Sequence, residues 1–113
     1  TTNRMAFEYL MSDLLLSNNV VRFVDNLKFI RHFKYPEMPP AYQEALYIYK
    51  LGVDGETFSK SGFNVSENTE KRFQRYYSLY KNRQMQRLKA EFGNTYWYYL
   101  NLISPYGDKI IRN

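Results

Sequence analysis

Apolar residues recur with helical spacing along most of this chain. Near the N-terminus they are separated by three or four residues, at Phe7, Leu10, Met11 and Leu14. The same spacing recurs around 42–49 and 73–80. Capping and breaking residues separate these segments, and together they predict helices near 4–17, 20–33, 40–51, 66–81, 84–92 and 95–104. Short connections would arrange about six helices as three antiparallel hairpins in one all-α domain, 1–113.

The first predicted helix carries apolar residues on two sides. Besides the stripe that contains Phe7 and Leu14, it holds Met5, Tyr9 and Leu16 on a second face. An apolar helix face is ordinarily buried against a neighbour. The pattern therefore predicts that this helix packs on two neighbouring elements.

The segment 53–65, "VDGETFSKSGFNV", is the longest internal tract without helical spacing. Its two glycines and its small polar residues are typical of a loop, and we expect it to be the least ordered internal segment. Phe58 and Phe63 are residues that could pin it to the body. The motif at 54–56 lacks the alternating acids of a calcium loop and predicts a turn. Residues 105–113 are predicted to form a tail.

Four aromatic residues stand in succession in the last predicted helix, from Tyr96 to Tyr99, and they include the only tryptophan, Trp97. A helical projection places apolar residues around nearly the whole circumference, which is typical of a helix buried on most sides. We expect Trp97 to be buried, and Tyr98 and Leu102 to lie at or near a partner contact. The two preceding helices would supply part of the cover. The remainder would come from the tail, a second copy or another domain.

The basic charge of the chain is concentrated in one segment. The formal net charge is +5, and the window 71–89 holds seven of the sixteen basic residues and no acid. In a helical projection its aromatic residues face one side and its basic residues the other. This favours a solvated basic face; the alternatives are an anionic membrane surface or acidic partner, and nucleic acid. The candidate partner surface consists of Tyr98, Leu102, Arg72, Arg75 and Arg83.

No constellation in the sequence indicates catalysis. The chain has no cysteine and one histidine, His32, and it lacks the motif that surrounds a serine nucleophile. His32 is predicted to lie at the end of a helix, where the dipole favours a positive charge. The acids Glu37, Glu44, Asp54 and Glu56 are scattered, without the spacing of a carboxylate pair. We predict no catalytic residue, no metal site, no cofactor and no enzymatic activity.

Paired helices that end at proline resemble a tetratricopeptide-like α-solenoid. Pro36 lies where such a repeat often ends, and the residues from Ala41 to Tyr49 resemble the pattern of its first helix. The small residues that mark the repeat are mostly absent. An irregular helical bundle is therefore the alternative architecture.

Three segments, "MAFEYLMSDLLLSNNVVRFVDNL", "PPAYQEALYIY" and "FGNTYWYY", together resemble one particular group of proteins. They look like the C-terminal soluble region of an uncharacterised family of multi-pass membrane proteins from gut Bacteroidetes-type bacteria. The resemblance covers most of the chain. It implies a tetratricopeptide-like appendage of a bacterial membrane protein, with the extracytoplasmic side slightly favoured, and it supplies no catalytic residue.

Three functions are compatible with these features. The first is a non-enzymatic helical scaffold or protein-interaction domain, whose partner would be another protein, the remainder of a larger membrane protein or a second copy. The second is a sugar- or peptide-binding module that uses exposed Tyr and Trp side chains. The third is nucleic-acid binding through 71–89. We expect that this segment does not bind a specific nucleic acid. The solvent exposure of the aromatic rings discriminates the second function from the other two.

Overall fold

The structure is a computed structural model that describes residues 3–106. Every regular element in this part of the chain is helical, which confirms the predicted all-α class. The elements are α1 (Arg4–Leu16), α2 (Val20–Leu27) with a following 3₁₀ turn (Lys28–His32), α3 (Pro40–Gly52), α4 (Gly55–Lys60), α5 (Glu67–Lys81), α6 (Met85–Phe92) and α7 (Tyr96–Tyr98), which continues as a π-helical turn (Tyr99–Ile103).

Capping residues set where several of the helices begin. Asn19 precedes α2, Ser66 precedes α5 and Thr95 precedes α7, and the side-chain oxygen of each accepts a hydrogen bond from an amide three residues later. Such bonds satisfy amides that the first helical turn leaves without a partner. Pro40 occupies the first turn of α3, where the missing N–H costs nothing. These starts are among those that the sequence predicts.

The prediction of a loop over 53–65 is wrong, because α4 lies within it. Asp54 does not begin a simple turn but caps α4, and its carboxylate accepts from the Thr57 amide at 2.7 Å. Phe58 is buried, with its ring 6.3 Å from that of Tyr49 on α3. Gly62 then redirects the chain at a φ of 78°, which glycine adopts freely. One cap and one buried ring hold this short helix against the body.

Two groups of buried side chains form the interior. The first lies among α1, α2, α3 and α4 and includes Tyr96 and Leu100 from the last helical segment. The second lies among α3, α5 and α6 and includes Trp97. The helices pack in the order α1, α2, α3, α5, α6, so α3 stands between the two groups. Tetratricopeptide-like stacking of these helices stays a prediction.

The last helical segment is buried on several sides, as its aromatic composition predicts. The Tyr96 hydroxyl donates to the Leu15 carbonyl at 3.0 Å, and the Tyr99 hydroxyl donates to the Leu16 carbonyl at 2.8 Å. Trp97 is completely buried, which confirms the expectation for that residue. Helices α1 and α3 thus supply much of the cover that the prediction assigned to the tail, a second copy or another domain. Of the predicted tail, 107–113 lies outside the described residues.

The π-helical turn changes which side chains of this segment point inward. Ideal α-helical spacing places Asn101 and Ser104 in one polar sector, but both are buried, whereas Ile103 is 57% exposed. In a π-helical turn an amide bonds to the carbonyl five residues earlier, which rotates the residues that follow. The Ser104 amide makes such a bond to the Tyr99 carbonyl at 2.8 Å. The Asn101 side chain thereby reaches the interior.

Candidate interaction surfaces

The second apolar face of α1 lies open to solvent. Met5 is 67% exposed, Tyr9 72% and Leu16 55%. The opposite side of α1 faces the core and packs on α2. The prediction that a neighbour covers this second face is therefore wrong for the part of the chain that the structure describes. With the exposed Ser12, these residues form a continuous surface that we call the α1 stripe: Met5, Tyr9, Ser12 and Leu16.

Acidic groups flank the α1 stripe. Glu8 Oε2 accepts from Arg4 Nε at 3.1 Å and from the Tyr35 hydroxyl at 2.5 Å. The Tyr35 bond, followed by the Arg4 bond, holds the pKa of Glu8 below its usual range, so this carboxylate is charged at neutral pH. Asp13 lies exposed on the opposite flank of the stripe. Arg4 is bound to Glu8 and rests 4.2 Å above the Tyr35 ring, so the charges on this edge largely offset each other, and the exposed Asp13 gives the other edge a negative charge.

Three of the seven basic residues in 71–89 are held by acids of the same chain. The pairs are Arg75–Glu91, Arg72–Glu44 and Lys71–Glu67. The first is bidentate, with distances of 3.1 and 2.9 Å from the guanidinium nitrogens to the carboxylate oxygens. The other four basic residues are exposed, namely Lys81, Arg83, Arg87 and Lys89. The outward positive charge of this segment is therefore concentrated at the end of α5 and on α6.

An open cavity of about 690 Å³ lies beside the start of α6, and we call it the α6 cavity. Arg83 turns the chain from α5 into α6 at a φ of 57°, a conformation that residues other than glycine seldom adopt. Sequence reasoning selected Arg83 but missed the two residues that complete this surface, Arg87 and the half-exposed Met85. In the sequence, the predicted start of a helix after Asn82 was the signal that could have pointed to these two residues. The full lining is Arg83, Gln84, Met85, Gln86, Arg87, Ala90 and Glu91.

A buried glutamate joins α3, α5 and α7. Glu44 Oε2 accepts from Arg72 Nη2 at 2.9 Å, and Oε1 accepts from the Tyr96 amide at 2.8 Å. The Trp97 indole donates to the Glu44 backbone carbonyl at 3.0 Å. The Arg72 guanidinium lies 5.4 Å from the Trp97 ring, so the cation and the aromatic face interact with each other within the chain. No spacing in the sequence identifies Glu44 as this junction.

The predicted partner residues have different environments. Tyr98 and Leu102 are partly buried and pack against the second core group. Arg72 is bound to Glu44, and Arg75 is bound to Glu91. Arg83 alone of the three arginines opens onto the α6 cavity. Whether Tyr98 and Leu102 contact a partner stays a prediction.

Several of the scattered candidates for chemistry have structural partners within the chain. His32 ends the 3₁₀ turn, as predicted for a helix end, and its ring lies 6.2 Å from that of Phe29. Asp54 caps α4, Glu56 pairs with Lys60 at 3.3 Å, and Glu44 forms the buried junction. Within residues 3–106, no three His, Asp or Glu side chains are grouped as a metal site would require.

A smaller cavity of about 320 Å³ lies among α2, α3 and the segment that contains α4. Aromatic rings from Tyr49 and Phe63 line it together with the polar groups of Asp25, Lys28 and Thr57. A ring beside convergent polar groups is typical of small-ligand sites. This cavity gives the sugar- or peptide-binding alternative a physical basis.

Comparison with known proteins gives a family match. The model of a family of unknown function, DUF6057, matches residues 1–103. No curated protein and no solved structure matches the chain. Among the described helices, none has both the length and the apolar character needed to cross a bilayer.

Proposed function

We propose that this chain, which belongs to the family of unknown function DUF6057, is a non-enzymatic helical domain that binds a protein partner through the α1 stripe. The observation that carries the proposal is the exposure of Met5, Tyr9 and Leu16 on one helix face. Contiguous exposed apolar surface in a soluble domain commonly marks an interaction site. The stripe residues are separated by four, three and four positions, which is the seam spacing of two packed helices. The partner therefore presents apolar groups to this face.

The placement of Trp97 supports a scaffold over an aromatic binding platform. Trp97 is enclosed by the rings of Phe73, Tyr76 and Phe92, with centroid distances between 5.1 and 6.5 Å. Its indole N–H is used by Glu44. A ring that is buried and hydrogen-bonded within the chain offers no face to a sugar or peptide. The α1 stripe keeps its aromatic ring, Tyr9, on the outside.

The family resemblance seen in the sequence adds a cellular setting to this proposal. The domain would be carried by a bacterial membrane protein, on the extracytoplasmic side, and would recruit or contact a protein there. The test is fractionation of the full-length gene product, followed by protease accessibility in intact and in permeabilised cells. Recovery in the soluble fraction would contradict the membrane setting and leave the α1 stripe proposal standing.

Photo-crosslinking in the native host tests the α1 stripe directly. A benzophenone amino acid would replace Tyr9 in one strain and Ser78, an exposed residue on α5, in the control strain. The expected result is a discrete protein adduct from position 9, lost when Met5 and Leu16 are both changed to Glu, and none from position 78. If position 9 forms no protein adduct, the stripe is not an interaction surface.

The 320 Å³ cavity supports a second candidate function, the binding of a small polar ligand such as a sugar or a short peptide. Titration with a fragment panel would be followed by NMR, with Tyr49→Phe and Thr57→Val as site variants. Saturable shifts confined to this cavity and weakened in both variants would favour this function. Shifts distributed over the whole surface would eliminate it.

A further inference from the structure

The α1 stripe and the α6 cavity lie on the first and the last helix of the packing order. Packing runs in the order α1, α2, α3, α5, α6, and the described body is elongated, with extents of 48 × 30 × 27 Å. Buried residues of α1 belong to the first core group, and those of α6 belong to the second. The two surfaces therefore lie on different helices of one copy, and they can meet between copies.

Resting on the proposed role of the α1 stripe, we propose that its partner is a second copy of this chain. The stripe of one copy docks on the α6 cavity of the next, so the association is head to tail. A contact between two different surfaces of the same chain leaves one surface open at each end of the pair. Further copies can then add, until a ring closes or a filament grows.

Both surfaces offer exposed apolar groups. Tyr9 is the most exposed large side chain of the stripe, at 72%. The α6 cavity is concave, and Met85, which is 40% exposed, provides apolar surface within it together with Ala90. Tyr9 of one copy can enter this cavity and lie against Met85. Arg83 and Arg87 at the rim can then approach the face of the tyrosine ring, an arrangement that favours guanidinium groups.

Charge decides between this arrangement and a symmetric one. Glu8 is paired with Arg4, so pairing two α1 stripes would bring the exposed Asp13 of one copy against the same acid of the other. Like charges at such edges oppose pairing. Docking on the α6 cavity instead brings Asp13 to Arg83 and Arg87. The one acid in that cavity, Glu91, is held by Arg75 in a bidentate pair and contributes little repulsion.

Two single-surface variants test the arrangement. Tyr9→Arg blocks the stripe and leaves the cavity intact, whereas Arg87→Glu blocks the cavity and leaves the stripe intact. Lys60→Glu on α4, whose side chain is 76% exposed, is the matched charge control. The emission of the single Trp97 reports that each variant is folded. The readout is sedimentation over a concentration series at low and at high salt.

The expected result is a wild-type mass that rises with concentration and falls with added salt, because the contact is partly ionic. Each blocked variant should associate at least about tenfold more weakly, a loss of about 1.4 kcal/mol, while Lys60→Glu behaves as wild type. A mixture of the two blocked variants should form a one-to-one dimer and nothing larger, since only one productive contact remains.

Three outcomes would overturn the inference. They are a wild type that stays monomeric at every concentration, a dimer that Arg87→Glu does not weaken, and a mixture of the blocked variants that stays monomeric. The proposed function is tested separately by crosslinking in the host. A monomer in solution that forms an adduct with a different protein at position 9 would refute self-association and preserve the interaction role.

Discussion

Trp97 and Glu44 are joined by a buried hydrogen bond of 3.0 Å from the indole nitrogen to the glutamate's backbone carbonyl. The glutamate carboxylate holds the neighbouring Tyr96 amide and the Arg72 guanidinium. One residue of the central helix α3 therefore holds the first two residues of the aromatic stretch in place. This relationship gives rise to the first two predictions.

Replacing Trp97 by Ala should destabilise the protein by about 3–5 kcal/mol, because it removes a fully buried ring and leaves a cavity among several aromatic neighbours. Urea unfolding followed by circular dichroism measures the change, since the variant lacks the only tryptophan. Tyr106→Ala is the control; its side chain is exposed, and the substitution should alter stability by less than about 0.5 kcal/mol. An unchanged unfolding midpoint for Trp97→Ala would show that the ring is not a core residue.

Replacing Arg72 by Met should destabilise the protein by about 2–3 kcal/mol, because it leaves the buried Glu44 carboxylate without its cation. This loss of stability is smaller than that expected on breaking a fully buried ion pair, because the Arg72 side chain is 33% exposed and partly hydrated. Adding Glu44→Gln removes the buried charge, so the double variant should be less destabilised than the sum of the two single variants. Additive changes in a double-mutant cycle would mean that the ion pair contributes no coupling.

Stability should fall at alkaline pH. Burial raises the pKa of Tyr42 and of Tyr76 to about 12, from 10.0 in the unfolded chain. The folded state therefore favours the neutral phenols, and this contribution is complete below about pH 10 and lost as the pH rises toward about 12. Tyr76→Phe should be less stable at neutral pH, because it loses the bond to the Trp97 carbonyl, and its stability should fall less steeply above pH 10.

Urea midpoints on either side of pH 10 measure this difference in slope. Tyr106→Phe, which removes an exposed hydroxyl, should keep the wild-type slope. If Tyr76→Phe and the wild type lose stability in parallel, Tyr76 does not contribute to the alkaline transition.

Replacing Asp54 by Ala should expose the segment around α4 to proteolysis, because it removes the oxygen that caps the helix at Thr57. The same cap should weaken in acid. The bond from the Thr57 amide lowers the pKa of Asp54 below 3.8, so its contribution is present above that pH and is lost as the pH falls through the lowered value. Cleavage sites are read by mass spectrometry, with Asp25→Ala as the control. First cleavage outside 53–65 would count against this prediction.

The basic segment 71–89 should not bind nucleic acid specifically. Three of its seven basic residues are paired within the chain, so about four remain for phosphates. Any duplex binding should then weaken with salt at a log–log slope of about −4 or shallower. Anisotropy titrations at two salt concentrations measure the slope. Tight binding that prefers one sequence, and that is lost on reversing Arg83 and Arg87, would establish a nucleic-acid role instead.

Local signals in the sequence determined the helical class and several of the helix starts. The side chains of Asn19, Ser66 and Thr95 each accept a hydrogen bond from an amide three residues later. Such local bonds can be predicted without the rest of the fold. The burial of Trp97 was also predictable, because apolar residues surround nearly the whole last helix. The short helix α4 was missed because a single residue, Phe58, carries its packing, although the Asp54 cap was a visible signal.

Tertiary structure decided what each face meets. Glu44 contacts Arg72 and Tyr96, which are 28 and 52 residues away in the sequence. Rules based on residue spacing do not predict contacts at such separations. The π-helical turn after Tyr98 reversed the places of Asn101 and Ile103, because the packing around it overrode ideal helical spacing. The α1 stripe has the periodicity of a core stripe and is nevertheless exposed. Periodicity shows which side chains share a face, whereas burial depends on whether another element lies against that face.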